Sequence, residues 1–167
     1  MLRGEKRKVA SRSLLDCVQL LQSKVPLIIA DYQAQFPTRE LRVICSLRST
    51  IEQQQIFAIG RTVPPIGVRF WRTKVDGVTK FSKHNPDPNE PLSKAVDFGV
   101  FVGGKYITTD SFYYPLLDLA RKYNLISGID FFNRGFPLED CLSLPEFHDV
   151  PHVEVPGPLY HPPVTQG

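Results

Sequence analysis

The run Val96–Val102, rich in β-branched and aromatic residues, meets Gly103-Gly104 and is followed at once by Lys105–Thr108. Two glycines tolerate the positive φ that a two-residue turn demands, so the flanking runs must double back as an antiparallel hairpin. That one feature sets the chain against a βαβ repeat, because a parallel crossover needs a dozen or more residues between strands.

The other segments fit around the hairpin. Leu14, Leu15, Val18, Leu21 and Val25 recur at helical spacing behind the capping candidates Ser11 and Ser13, and Pro26 is expected to stop this first helix. Leu27 to Phe36 reads as a second helix ending at Pro37, and Leu41–Cys45 as a strand. Ser49-Thr50-Ile51-Glu52 has the form of a capping box, predicting a helix through Ile59 closed by Gly60. Val63 to Pro91 is rich in Pro, Gly, Asn and Asp and should be mostly loop. Asp110 or Ser111 should cap a helix carrying Leu116, Leu117, Leu119, Ala120 and Tyr123. Pro137 to Leu144 suits a short helical turn, and Val153 and Val155 mark a final strand. Three or four strands with helices before and between them predict an α+β domain: a small antiparallel sheet with flanking helices.

A chain of 167 residues with 42% hydrophobic residues suits one domain with a single core. We divide it into a basic arm (1–12), a folded domain (13–156) and a Pro-rich tail (157–167). Twenty basic against seventeen acidic residues leave a net charge of +3, too small a surplus to argue for nucleic acid. Much of it is the arm of Arg3, Lys6, Arg7, Lys8 and Arg12, which reads either as a solvated terminus or as a contact for an anionic surface. Cys17, Cys45 and Cys141 form no Cys-x-x-Cys pair and read as buried or incidental thiols. The apolar stretch after the arm is broken by Asp16, Gln19, Gln22 and Lys24, which argues against a signal peptide, and no run is long enough for a membrane span. The expectation is synthesis in a cytoplasm, with any action outside it requiring another route.

Two distant stretches carry the chemistry: Ser82-Lys83-His84 leading to Ala95-Val96-Asp97, and His148-Asp149-Val150-Pro151-His152-Val153-Glu154. Together they offer imidazoles and carboxylates in the number a catalytic zinc site uses, three protein ligands with the fourth position left open. By spacing alone, scattered surface or capping residues would account for the same pattern.

The ordered set of Ser46-Leu47-Arg48-Ser49, Glu52-Gln53, Gly60-Arg61-Thr62, Ser82-x-His84-Asn85 with Ala95-Val96-Asp97, and Asp149-x-Pro151-His152-x-Glu154 resembles the D-alanyl-D-alanine carboxypeptidase and L-alanyl-D-glutamate endopeptidase family. These are zinc peptidases of bacterial cell walls and include phage endolysins; the resemblance spans about residues 14–155. It implies a hedgehog/DD-peptidase-like fold, Zn2+ held by His84, Asp97 and His152, and Asp149 as the carboxylate that moves protons. Arg48 corresponds to an arginine that faces the substrate carbonyl or carboxylate, and Ser82 to a serine that binds the peptide. Each has a plainer alternative: Arg48 could pair with Glu52, and Ser82 could cap a turn. Glu154 competes with Asp149, because residues 152 and 154 share a face on an extended strand, whereas Asp149 reaches the metal only if the chain bends before Pro151. We assign Glu154 as a partner of a ligand imidazole. His148 and His161 read as surface histidines.

Two departures stand out. Thirteen positions separate His84 from Asp97, so Pro86-Asp87-Pro88-Asn89-Glu90-Pro91 reads as a six-residue outward insertion, with Asp87 as a decoy ligand. Ile129-Asp130-Phe131-Phe132-Asn133-Arg134-Gly135 stands where the family often has a Gly-Gly-Asp-Trp type of segment. The expected activity is hydrolysis of peptidoglycan stem peptides by a phage or prophage lysin, acting on the wall after release or carried within a virion or lysis assembly. The alternatives are removal of terminal D-Ala, and a non-catalytic virion-structural or binding protein that keeps the fold.

Overall fold

A computed structural model describes residues 10–63, 73–131, 136–143 and 149–157. In chain order the elements are α1 (Gln19–Gln35), β1 (Arg39–Cys45), α2 (Thr50–Ala58), β2 (Ala95–Val102), β3 (Lys105–Ile107), α3 (Pro115–Lys122), β4 (Ile126–Gly128), α4 (Leu138–Ser143) and β5 (Asp149–Glu154). The architecture is α+β, with an open antiparallel sheet of five strands.

Strand β2 is the centre of this sheet. One of its edges carries β1; the other is divided, with Val100–Val102 pairing β3 and Ala95–Asp97 pairing β5, and β4 adds beyond β5. Val96, Phe98 and Val100 alternate onto one face, where they join Leu21, Val25, Ile28 and Tyr32 of α1 and Leu116, Leu119 and Ala120 of α3 in the main core. Asp97 lies between them in sequence and so projects to the opposite face.

The hairpin turn at Gly103-Gly104 has positive φ at both residues, and the Ser49–Glu52 capping box starts α2 as expected, with Gly60 at φ +84° just beyond its end. Two expectations are corrected. Pro26 does not stop the first helix: Leu14–Asp16 is a separate 3-10 turn, and α1 then runs unbroken through Pro26. Leu21, Val25, Ile28 and Tyr32 form a continuous buried seam across the proline, while Pro26 itself is exposed, where water can replace the hydrogen bond it removes. Asp110–Phe112 is likewise only a 3-10 turn, and α3 starts at Pro115, whose missing N–H cannot continue an earlier helix but suits a first helical position.

Strand β4 was not expected from the sequence. It follows a Schellman-type stop at Asn124 (φ +57°), with Asn124 N–H donating to the Arg121 carbonyl and Leu125 N–H to that of Ala120. Three residues are too few to display a period. The arm to residue 9, the tail from 158, His148 and His161 lie outside the described residues. Ser11 is already part of the packed body, donating to the Leu47 carbonyl and accepting from Ser46 N–H.

Candidate metal centre

Register builds the site. Asp97 of β2 faces His152 on β5, and it also faces Cys45 on β1, so three chemically active residues stand in one row across three strands on the face away from the main core. Cys45 occupies its place because of an irregularity between Val43 and Cys45; without this bulge Ile44 would oppose Asp97. His84 arrives from a loop. Its turn is locked by Asn85, which is buried and donates from Nδ2 to the Arg48 carbonyl at 2.8 Å, and by Arg48 N–H donating to the His84 carbonyl at 2.8 Å. Ser93, also buried, lies 3.0 Å from the Ser46 carbonyl and 3.3 Å from that of Lys83, joining the strand ends to the loop.

Three atoms converge: His84 Nε2, His152 Nδ1 and Asp97 Oδ1, separated by 3.1, 3.2 and 2.9 Å. The outer ring nitrogens are already committed. His84 Nδ1 lies 2.7 Å from the Ser46 carbonyl, which can only accept, so this nitrogen carries the proton; His152 Nε2 faces Glu154 Oε2 at 3.1 Å and carries its proton too. With both imidazoles neutral, what converges is three lone-pair donors with no hydrogen among them, buried on both imidazoles (3% and 6% exposed). Positive charge resolves such a triangle, supplied either by protons on the imidazoles or by a metal ion that replaces them. Tetrahedral metal bonds of about 2.0–2.1 Å place ligand atoms roughly 3.3 Å apart, close to these separations. The residues present can thus hold a metal ion, with Cys45 beside them.

The electrostatics agree. Burial alone would depress the His84 imidazole, yet the Asp97 carboxylate outweighs it and raises it to about 10. Burial also opposes charge on His152, and hydrogen bonds to Asp97 and Glu154 nevertheless lift it to about 9. Asp97 is pushed well below the ordinary carboxylate range, its burial overcome by the two histidines. All three shifts express one demand, for positive charge at the centre of the triangle.

Asp149 reaches the cluster by the bend that the sequence required. Val153 pairs with Ser127, but the next residue of β4, Gly128, pairs with Asp149, leaving Val150, Pro151 and His152 without counterparts on β4. Asp149, Asp97 and His152 bring ligand-type atoms within 4.8 Å of one another. Burial pushes the Asp149 carboxyl up, against the pull of His152. Gly128 permits the approach, because a Cβ there would come within 2.0 Å of the Asp149 carbonyl oxygen.

Arg48 does not pair with Glu52, which closes the capping box on Ser49. Its guanidinium instead turns to the cluster, with Nη2 3.6 Å from Asp97 Oδ2 and 3.5 Å from Cys45 Sγ. The Ser82 hydroxyl accepts from His84 N–H at 3.3 Å, so it shapes the turn that carries the ligand. Asp87 is turned to its own loop: it accepts from Asn89 and Glu90 N–H and pairs with Lys94 at 2.5 Å. Asp130, at the start of the unusual segment, is fully buried in a two-point pair with Arg121, and the neighbouring Phe131 ring sits 5.4 Å from that of His152. Residues 132–135 lie outside the described residues.

All three cysteines are buried, yet Cys45 is not incidental, its Sγ lying 3.8 Å from His84 Nδ1. Sequence reasoning also missed the anchoring by Asn85 and Ser93 and the requirement at Gly128. The one available signal for Cys45 was its position at a strand end, three residues before Arg48. No family model and no curated protein matches this chain.

Proposed function

We propose that this protein is a zinc-dependent peptidase that hydrolyses peptidoglycan stem peptides, in the manner of the L-alanyl-D-glutamate endopeptidases of phage lysins. The observation that carries the reading is the triangle of lone pairs from His84, His152 and Asp97 with a separate carboxyl, Asp149, at its side. Two neutral imidazoles and one carboxylate suit zinc and leave a net positive centre. Bound there, zinc would supply the charge that makes a water acidic near neutral pH and polarises a peptide carbonyl.

The chain's own groups supply the rest. Asp149, held apart from the triangle, receives the proton of the attacking water and delivers it to the leaving amine; its burial favours the protonated form that the second step needs. Arg48 keeps a fixed positive charge beside the cluster and stabilises the oxyanion that develops on the carbonyl. The Ser82 hydroxyl proton is not used in its bond to His84 N–H and is available to a peptide carbonyl. Glu154 orients the His152 ring. The substrate class rests on the ordered motifs from Ser46 to Glu154.

Digestion of purified peptidoglycan by the zinc-loaded protein, followed by mass spectrometry, tests the proposal. New amino termini on D-Glu are expected. Release of terminal D-Ala alone would make the protein a carboxypeptidase, and intact stem peptides would leave a binding or structural protein.

A further inference from the structure

Gln53 is fully buried on α2, and both ends of its carboxamide are in use. Nε2 donates to the Val75 carbonyl at 2.8 Å and lies 3.2 Å from the Thr73 hydroxyl, while Oε1 accepts from Arg48 Nη1 at 2.9 Å. The orientation of the amide is fixed by chemistry, because a carbonyl on one side can only accept and a guanidinium on the other can only donate. The loop closes tightly on the same side chain: a Cβ at Gly77 (φ +77°) would lie 2.9 Å from Gln53 Cβ and Cγ.

Arg48 ends a long flexible stem, and its contact with Asp97 at 3.6 Å is beyond hydrogen-bond length. The Asp97 Oδ1 lone pair is directed at the two imidazoles. The guanidinium makes two hydrogen bonds to other side chains, Nη2 to Cys45 Sγ at 3.5 Å and Nη1 to Gln53 Oε1 at 2.9 Å; sulfur is the weak acceptor, so the bond to Gln53 sets the direction. An amide oxygen fixes a guanidinium without neutralising it, which a carboxylate at the same place would do.

We infer that Gln53 is a positioning residue that aims the Arg48 guanidinium at the metal cluster with its charge undiminished, and that ties this aim to the Thr73–Gly77 loop. The role in turnover rests on the peptidase reading; the geometry of the clamp does not.

Two substitutions separate aim from charge. Gln53→Met keeps the volume and removes the acceptor, whereas Gln53→Glu keeps an acceptor and cancels the charge. In side-chain 15N NMR of the zinc-loaded protein, with the Arg48 signals assigned by their loss in Arg48→Lys, the wild type and Gln53→Glu should show distinct Nη resonances from hindered rotation. Gln53→Met should average them. Both variants should lower kcat by about tenfold or more with a smaller change in KM, and neither should lower it further in an Arg48→Ala background. Averaged Nη signals in the wild type, or distinct ones in Gln53→Met, would overturn the clamp. Should Gln53→Met fail to fold, Gln53→Leu removes the same acceptor with a different shape, and distinct Arg48 Nη signals there would overturn it equally. A wild type that cuts no peptide but keeps a hindered Arg48 would refute the peptidase and leave the clamp standing.

Discussion

At the scale of single residues, the two carboxylates beside His152 occupy different chemical positions. Glu154 touches the imidazole nitrogen that points away from the triangle, whereas Asp149 lies beside the triangle with a carboxyl raised by burial. Asp149→Asn should keep zinc and lose turnover by a factor on the order of 10² or more, measured by metal analysis alongside peptide cleavage. Glu154→Gln should weaken zinc binding roughly tenfold or more, because the ring exchanges a charged acceptor, which raises its basicity, for a neutral amide. The aspartates in and after the insertion are equally distinct. Asp87 is occupied by Lys94 and by two backbone N–H groups, so Asp87→Ala should leave zinc stoichiometry unchanged, and Asp97→Ala should abolish it. Zinc lost with Asp87 and kept without Asp97 would mean that the wrong aspartate has been assigned.

At the scale of elements, bulges do what regular strands cannot. The irregularity in β1 sets Cys45 opposite Asp97, and the three unpaired residues of β5 carry Asp149 round to the cluster. The second bend depends on Gly128 in β4, so Gly128→Ala forces the Asp149 backbone away from a contact of 2.0 Å. The expected cost is about 1–3 kcal/mol of stability, read from a denaturant midpoint, with turnover falling more than zinc content. Elements whose signal is local were legible in advance: the capping box before α2, the Gly103-Gly104 hairpin and the period of β2. The continuity of α1 through Pro26 was not, because the seam from Leu21 to Tyr32 outweighs a proline only when something packs against it. Strand β4 was invisible for a similar reason, since three residues become a strand only by pairing with β5.

At the scale of the whole molecule, α1 and α3 cover one face of the sheet and the cluster occupies the other, its side chains drawn from β2, β5 and the loop before the insertion. A metal that bridges such distant segments binds only the folded chain. At a free zinc concentration about a thousandfold above its dissociation constant it should add about 4 kcal/mol, raising Tm by roughly 10 °C over chelated protein in a calorimetric scan. His152→Ala should erase that difference. The sequence by itself determined the α+β class, the hairpin, the capped α2 and the identities of His84, Asp97, His152 and Asp149 as candidates, because turn chemistry, capping and side-chain period are local, and because the motifs occur in order along the chain. Only the tertiary structure decided that Asp97 faces both Cys45 and His152, that Arg48 turns to the cluster rather than to Glu52, and that Gln53 and Gly128 matter. Those facts depend on register, bulges and burial, which arise between segments and leave no period within any one of them.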